Sequence, residues 1–303
     1  MLTRKSLART AQVLCIGAAA TLAQTALAPA ASAAVLPVAC SQTALVNAIN
    51  TANSTPGSDT LNLSPGCRYS LTNALPAITS TVVVNGNGAT IARAASASAF
   101  RIITVNGGNL TLRALTLTNG DATGSTIANG AGGGIVVTGN GTLNASAVVI
   151  LDNRANFGGG VSNFSGSTTT INASVVSGNH ANNNGGGLVS DGNLTVTASN
   201  ISRNTANIAG GGIANIGQLT VRASNIRNNE ADTGGGIANG VPGVSGGTST
   251  ISISNISNNT AHGTNPGGIY NNGGTVNLTL STVINNTPNN CATSPTPVPR
   301  CFN

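Results

Sequence analysis

Residues 186–206 read GGLVSDGNLTVTASNISRNTA, and variants of this stretch recur through most of the chain. The stretch begins with two glycines and an aliphatic residue. It ends with an aliphatic residue, two spacers, Asn, one spacer and Ala. The glycine pair starts again at Gly133, Gly159, Gly211, Gly235 and Gly267. The Asn recurs at intervals of 26, 25, 25, 30 and 27 residues, at Asn153, Asn179, Asn204, Asn229, Asn259 and Asn286. Such a period is typical of proteins built from stacked repeats.

Between the two elements, apolar and polar residues alternate. In Leu194-Thr195-Val196-Thr197-Ala198 the aliphatic side chains fall on one face, as in a half-buried strand. Glycine clusters and Asn then interrupt the strand, and residues 60–290 show no capped helical periodicity. The pattern predicts an all-β fold, a right-handed parallel β-helix (a solenoid) of about nine turns with a short N-terminal capping helix. The predicted hand follows from the right-handed crossover preference of parallel strands.

Stacked turns predict columns of equivalent side chains along the axis. Aliphatic columns would line a narrow interior, in which large aromatic side chains should not fit. Glycine and Asn would supply the positive φ needed at corners. Stacked amides hydrogen-bond along such an axis, so we expect a structural Asn ladder. Its members would be Asn153, Asn179, Asn204, Asn229, Asn259 and Asn286, with a similar column at Ser174, Ser199, Ser224, Ser254 and Ser281. Low-complexity disorder is the alternative, but disordered tracts lack registered aliphatic columns.

The composition of the 303 residues excludes several classes of protein. Charged residues make up 6% of the chain, against roughly 25% in an ordinary soluble domain, and aromatic residues make up 2%. Neither an aromatic core nor a surface of charged helices can be built from these residues. The 12 basic residues are scattered and lack interleaved aromatic residues, so we expect no nucleic-acid partner.

The N-terminus has the pattern of a secretory signal peptide over residues 1–33. Basic residues within 4–9 precede an apolar run at 11–23, and Ala31-Ser32-Ala33 is a cleavage site of the A-x-A type. A membrane anchor is the alternative, but the apolar run is short for a span and Pro29 follows it closely. We therefore expect a secreted, extracellular protein with no membrane span after signal cleavage.

Four cysteines remain after cleavage, Cys40, Cys67, Cys291 and Cys301, as one pair near each end. Export permits disulfides, and four cysteines allow three connectivities. The pairing Cys40–Cys67 with Cys291–Cys301 closes short loops, and we predict it. Zinc binding is the alternative, but zinc ligands usually come in closely spaced pairs that these cysteines do not form.

The ends of a solenoid need caps. Apolar residues within 43–52 are spaced as one face of a short helix that could plug the open tube. We therefore predict an N-terminal cap at 34–59, the parallel β-helix at 60–287, and a C-terminal cap with a disulfide loop at 288–303.

Two features of the sequence resemble known families. The Gly-Gly-Ile and Asn-x-Ala elements resemble the repeats of polymorphic outer-membrane proteins. The opening Cys40-Ser41, followed by Ala48-Ile49-Asn50 and Asp59-Thr60-Leu61, is similar to the start of many bacterial exported right-handed parallel β-helix proteins. The resemblance covers about residues 40–290. It implies the fold rather than an activity, because this architecture carries lyases, hydrolases, adhesins and passive surface proteins.

The titratable residues give no obvious catalytic constellation. The acids of the predicted mature chain are Asp59, Asp121, Asp152, Asp191, Glu230 and Asp232. Sugar cleavage requires two carboxyl groups at a defined gap, and no two of these acids share a column on adjacent turns. Aligned by repeat, Arg113 and Arg222 lie four turns apart, and His180 and His262 lie in different registers. We expect no catalytic, cofactor-binding or metal site, and no cofactor.

The sequence therefore favours a secreted, non-enzymatic extracellular or cell-surface β-helix protein that acts as an interaction, adhesion or structural module. Extracellular carbohydrate or a cell surface would be its partner. A polysaccharide lyase or glycoside hydrolase of the pectate-lyase-like fold is the alternative. Ice binding by an outer face rich in Thr is a further hypothesis, but among the aligned strands Thr195-Val196-Thr197 is the one with Thr at both of these outer positions.

Overall fold

The structure is a computed structural model that describes residues 33–302, and it is a parallel β-solenoid of about 10 turns. The predicted signal peptide lies outside the described residues except for Ala33. The turn number exceeds the predicted nine because Val35–Val38 pairs in parallel with residues 60–63, ahead of the first predicted turn. No helix among the described residues is long and apolar enough to cross a membrane.

Within residues 33–302 the strands form three sheets. The long sheet contains Val35–Val38, Ser58–Leu63, Arg68–Leu71, Thr81–Arg93, Asn109–Thr118, Thr142–Ser146, Val149–Leu151, Thr168–Asn172, Val175–Ser177, Asn193–Thr197, Asn200–Ser202, Gln218–Arg222, Asn225–Arg227, Thr248–Ser252, Asn255–Ser257, Thr275–Thr279 and Thr282–Ile284. The corner sheet contains Arg154–Phe157, His180–Asn184, Thr205–Ala206, Glu230–Ala231 and Thr260–Ala261. The short sheet contains Ile103–Asn106, Ile135–Thr138, Val161–Asn163, Leu188–Ser190, Ile213–Asn215, Ile237–Val241, Val244–Ser245 and Ile269–Asn271.

The register of the long sheet stacks each repeat on its equivalent. One interior column runs Leu143, Thr169, Leu194, Leu219, Ser249 and Val276. The neighbouring column runs Ala145, Ile171, Val196, Val221, Ile251 and Leu278. All of these side chains are buried, so the alternating aliphatic residues of the sequence form the core.

Three corners on most turns need left-handed backbone, and they differ in the residues that supply it. Directly before the Gly-Gly pairs the corner residue is glycine, at Gly132, Gly158, Gly185, Gly210 and Gly234. Before the Asn ladder the corner residues are Asp152, Gly178, Arg203, Asn228, Asn258 and Asn285. Within the long sheet they are Ala114, Ala147, Ala173, Ala198, Ala223, Ile253 and Leu280. Glycine and Asn were predicted at corners, whereas the corner within the long sheet mostly uses Ala. Its last two members are large, and they leave Ile253 51% and Leu280 85% exposed.

One aromatic residue contradicts the prediction that the interior excludes large rings. Tyr69 is fully buried in the first turns. Its hydroxyl donates to the carbonyl oxygen of Val38 at 2.9 Å and accepts from the backbone N–H of Ser64 at 3.0 Å. The ring fits because the long side chain reaches polar partners at the N-terminal end of the tube, where the phenolic group is satisfied.

The single α-helix among the described residues, Gln42–Ser54, packs on this N-terminal end. Ser41 caps it by accepting a hydrogen bond from the backbone N–H of Ala44. Its buried face consists of Leu45, Ala48, Ile49 and Ala52, which have the spacing of an amphipathic helix. A short 3₁₀ segment, Ile127–Gly130, follows later in the chain.

The Asn residues form a continuous hydrogen-bonded ladder. Each side-chain amide donates to the Oδ1 atom of the Asn on the next turn, at 2.9–3.0 Å from Asn153 to Asn286. Each Oδ1 also accepts the backbone N–H of the Asn before it. The N–H of Gly120 begins the ladder and Asn290 ends it. The amides thus satisfy backbone groups at a corner that the interior would otherwise leave unpaired.

A second Asn ladder follows the short sheet, and the sequence analysis missed it. Its register runs Asn163, Ser190, Asn215, Asn239 and Asn271. Asn215 donates to Asn239 at 2.9 Å, and Asn239 donates to Asn271 at 3.0 Å. The signal was present, because these residues follow the repeated Gly-Gly pair at a fixed offset. In the serine column, each Oγ from Ser174 to Ser281 accepts a backbone N–H from the turn before.

Two disulfides join the cysteines locally, Cys40 to Cys67 and Cys291 to Cys301. Cys40 directly precedes the helix, and Cys67 precedes the strand Arg68–Leu71. The bonds suggest an oxidising, extracytoplasmic environment, because disulfides rarely persist in a reducing cytosol.

Candidate functional site

The fold separates the six acidic residues into distinct surroundings. Asp59 is fully buried and accepts hydrogen bonds from the backbone N–H of Ala34 and the hydroxyl of Thr55, so it serves the structure of the first turn. Asp232 is exposed at a corner loop. The other four lie in three places: Asp191 in a cleft over the short sheet, Asp121 and Asp152 in a charged groove, and Glu230 beside His262.

The cleft lies on the outer face of the short sheet and has a volume of about 180 Å³. Its floor comes from the middle residues of successive strands, Ser162 and Val189. These side chains point outward because their neighbours in each strand point into the core. Phe157 ends the corner-sheet strand Arg154–Phe157, and Phe164 directly follows the short-sheet strand Val161–Asn163. Two of the four phenylalanines in the chain therefore line one cleft.

One side of the cleft is a column of residues on consecutive turns. Phe164, Asp191 and Ile216 each follow a member of the second Asn ladder. The N–H of Asp191 donates to the carbonyl of Asn163 at 3.0 Å, and that of Ile216 donates to Ser190 at 2.8 Å. The three positions therefore lie about 4.8 Å apart along the axis, and the column is about 10 Å long.

The rim of the cleft is a loop held by a buried arginine. Ala128, Asn129 and Ala131 line the cleft from this loop. Arg101 is 5% exposed, and its Nε donates to the carbonyls of Ala131 and Gly132 at 2.8 and 2.9 Å. Burial lowers the pKa of Arg101 to about 10, so the guanidinium stays charged at neutral pH. Arg101 thereby fixes the position of the rim.

Three polar groups face the cleft, and two of them, the Ser162 hydroxyl and the Asn129 amide, have no partner among the described residues. Ser162 is 3% exposed, and its hydroxyl makes no hydrogen bond to any other residue within 33–302. The side-chain amide of Asn129 at the rim makes none within the same residues. Burial raises the pKa of the Asp191 carboxyl, while the backbone N–H groups of Asp191 and Ser165 act in the opposite direction. In contrast, the amide of Asn163 is fully engaged in the second ladder.

The charged groove lies at the corner where the Asn ladder begins and has a volume of about 320 Å³. Asp121, Asp152, Arg93 and Arg154 all line it. Sequence alignment places these acids in different columns, and the fold still brings them to one groove. Arg93 donates to three backbone carbonyls, and Asp121 accepts from the N–H and hydroxyl of Thr123 at 3.0 and 2.6 Å. The carboxylate of Asp152 makes no hydrogen bond within the described residues, although its backbone N–H donates to the carbonyl of Ser177.

The corner sheet carries the two histidines in separate positions. Nε2 of His262 lies 2.9 Å from Oε1 of Glu230, and both side chains are about half exposed. Nδ1 of His180 lies 2.8 Å from the hydroxyl of Thr205. Burial lowers the pKa of His180, and the positive charge of Arg154 on the adjacent turn lowers it further. The sequence analysis missed the pairing of His262 with Glu230.

The register separates the remaining sequence candidates. Arg113 and Arg222 share one outer column with three residues between them, so they lie four turns apart. Among residues 33–302 no group of three or more His, Cys, Asp or Glu residues could hold a metal ion. Comparison of the chain with family models, with curated proteins and with solved structures returned no match.

Proposed function

We propose that this chain is an exported, non-enzymatic module that binds extracellular carbohydrate or cell-surface material through the outside of its solenoid. The observation that carries the proposal is the cleft over the short sheet. It combines two phenylalanine walls with unpartnered polar groups, as small-molecule sites commonly do. Asp191 is the one carboxylate among its lining residues, which suits binding rather than sugar cleavage by paired carboxylates.

Export is supported by two independent features. The N-terminal basic start, apolar run and A-x-A sequence have the order of a secretory signal. Both disulfides are of a kind that forms outside the reducing cytosol. The first Asn ladder suits a module that must stay rigid, because its amides are bonded from turn to turn. The second ladder adds bonds from Asn163 to Ser190 and from Asn215 through Asn239 to Asn271.

The charged groove favours a second candidate function, a glycoside hydrolase or polysaccharide lyase. Asp121 and Asp152 would be its acids, with Arg154 beside them. Asp121 is already held by Thr123, and Arg93 is held by backbone carbonyls, so both groups serve the local fold. For this reason the binding function is preferred.

The experiment compares binding with turnover on the same material. Purified protein is mixed with insoluble xylan, mannan, cellulose and bacterial cell-wall preparations, and the fraction that sediments is measured. Reducing ends and unsaturated products are assayed in parallel, with and without calcium. We expect sedimentation with at least one material and no product. Product formation that disappears in an Asp121→Asn, Asp152→Asn double variant would establish the enzyme instead, and no sedimentation with any material would refute the binding function.

A further inference from the structure

We infer that the cleft between Phe157 and Phe164 is a subsite for neutral sugar residues, in which Ser162 and Asp191 hydrogen-bond the sugar hydroxyls. The inference rests on the proposed function and names the ligand class and the site. It selects uncharged sugars and disfavours uronic acids and other anionic sugars.

The walls of the cleft suit the faces of a sugar ring. The face of a phenyl ring carries the negative part of its quadrupole, and it attracts the positively polarised C–H groups of a pyranose. Phe157, Phe164, Val189 and Ile216 are the large apolar residues that line the cleft. In a chain with 2% aromatic residues, two phenylalanines at one cleft form a concentrated apolar site.

The floor supplies a hydroxyl that the fold itself does not use. On the turns before and after Ser162 the same column carries Val136 and Val189. A serine in this column is buried to 3% exposure without a hydrogen bond inside the described chain. The hydroxyl opens to the cleft rather than to the core, and a ligand hydroxyl can take the place of the solvent that reaches it. Ser162 thus points to a ligand that carries its own hydrogen-bonding groups.

The charge of the cleft selects among such ligands. Asp191 can accept hydrogen bonds from ligand hydroxyls, and the amide of Asn129 can donate and accept at the rim. None of the lining residues is basic, and the guanidinium of Arg101 is occupied by carbonyls of the rim loop. An anionic sugar would therefore meet Asp191 without a cation to offset the repulsion.

The direction of the cleft indicates how a bound oligosaccharide would lie. Phe164, Asp191 and Ile216 extend about 10 Å along the solenoid axis, over three consecutive turns. A ligand that contacts all three must run parallel to the axis. We therefore expect oligosaccharides to bind more tightly than the corresponding monosaccharide.

Isothermal titration calorimetry of the disulfide-bonded chain tests the site. The probes are xylohexaose, mannohexaose and cellohexaose, with hexagalacturonate as the anionic sugar and tetramethylammonium as a cation that Asp191 and the phenyl rings could also attract. We expect binding of at least one neutral hexamer and much weaker binding of hexagalacturonate and of tetramethylammonium.

Two variants and one control identify the cleft. Ser162→Val restores the residue type of the adjacent turns and should fold normally, while it removes the floor hydroxyl. Asp191→Asn removes the charge and keeps the shape. Each should weaken binding about tenfold or more, since a lost hydrogen bond leaves its buried partner unpaired. Asp232→Asn, which changes an exposed acid at a corner loop, should leave the affinity unchanged. Circular dichroism verifies that all three variants fold.

The outcomes separate this inference from the proposed function. Equal affinities of the wild type, Ser162→Val and Asp191→Asn for a neutral hexamer would place the sugar site elsewhere and leave the binding function standing. Sedimentation with insoluble material but no binding of any soluble hexamer would likewise overturn the cleft alone. Tighter binding of hexagalacturonate or tetramethylammonium would overturn the neutral-sugar class. Failure of both the sedimentation and the titration experiments would refute both proposals.

Discussion

Replacement of Asn204 by alanine tests the Asn ladder at its middle. The Asn204 side chain is fully buried and makes four hydrogen bonds. Its Oδ1 accepts from the backbone N–H and the side-chain amide of Asn179 at 3.0 and 2.9 Å. Its Nδ2 donates to the carbonyl of Val176 and to Oδ1 of Asn229, both at 3.0 Å. Alanine removes all four bonds and shortens the side chain inside a packed corner.

The magnitude follows from the groups that lose their partner. The backbone N–H of Asn179 loses its acceptor in the interior, whereas the side-chain amide of Asn179 keeps the carbonyls of Ile150 and Ser177. An orphaned buried donor costs about 1–3 kcal/mol, so we expect Asn204→Ala to lower the free energy of unfolding by about 1–3 kcal/mol. The matched control is Asn193→Ala. Asn193 begins the strand Asn193–Thr197 with an exposed side chain. Its replacement should change stability by less than about 0.5 kcal/mol.

Urea denaturation followed by far-ultraviolet circular dichroism measures the difference, with both disulfides intact. The midpoint of Asn204→Ala should fall clearly below that of the wild type, and that of Asn193→Ala should not. Similar slopes of the transitions would show that the variants unfold by the same amount of surface. Equal midpoints for the two variants would refute the view that the amides satisfy otherwise unpaired corner groups.

Three further changes have outcomes that the structure fixes. Ile253→Asn should raise the free energy of unfolding, measured in urea, by about 1 kcal/mol, because it relieves a branched residue at φ 52°. Ile284→Asn, at an exposed isoleucine without positive φ, should not raise it. His180→Gln should reduce the loss of stability on acidification from about pH 7 to about pH 5. Because the pKa of His180 is lowered in the folded chain, folded His180 binds fewer protons than unfolded His180. The contribution of His180 to the free energy of unfolding therefore falls as the pH drops below about 6.5. Replacing both cysteines of Cys40–Cys67 by serine should lower the free energy of unfolding by about 3.5 kcal/mol, and the same change at Cys291–Cys301 should lower it by about 2.7 kcal/mol. The first disulfide closes the longer loop, with a sequence separation of 27 against 10. Equal thermal midpoints of the two variants would contradict this order.

Regular repeats made the long sheet predictable from sequence. The interior columns through Leu194 and Val196 follow from counting between repeated elements, and the structure has that register. The first turns carry no Asn element, and the strand Thr81–Arg93 has a register shift between Asn85 and Ala89. Alignment by the repeat therefore could not bring Asp121 and Asp152 to one groove.

The cleft escaped sequence analysis for a different reason. Phe157 ends a strand of the corner sheet, and Phe164 follows a strand of the short sheet, so their positions in the sequence do not predict that both line one cleft. Alignment of equivalent positions in the repeats shows which residues stack along the axis, but it does not show which two columns face each other. One signal was available: Ser162 occupies a column that is aliphatic on both adjacent turns, and such an exception marks a position worth testing for function.

The ladders connect the fold to the proposed site. Ser162 lies between Val161, which is buried in the core, and Asn163, whose amide donates to Ser190 on the next turn. The two neighbours hold the strand from inside, so the outward hydroxyl of Ser162 is positioned before any ligand arrives. Phe164 follows directly, and its N–H donates to the carbonyl of Val137 at 2.9 Å. A site built on fixed strands loses less conformational entropy on binding than one built on mobile loops. The same amides that satisfy the interior of the solenoid thus also preorganise the floor and one wall of the cleft, and a change at Asn163 should weaken sugar binding even though its amide faces the ladder.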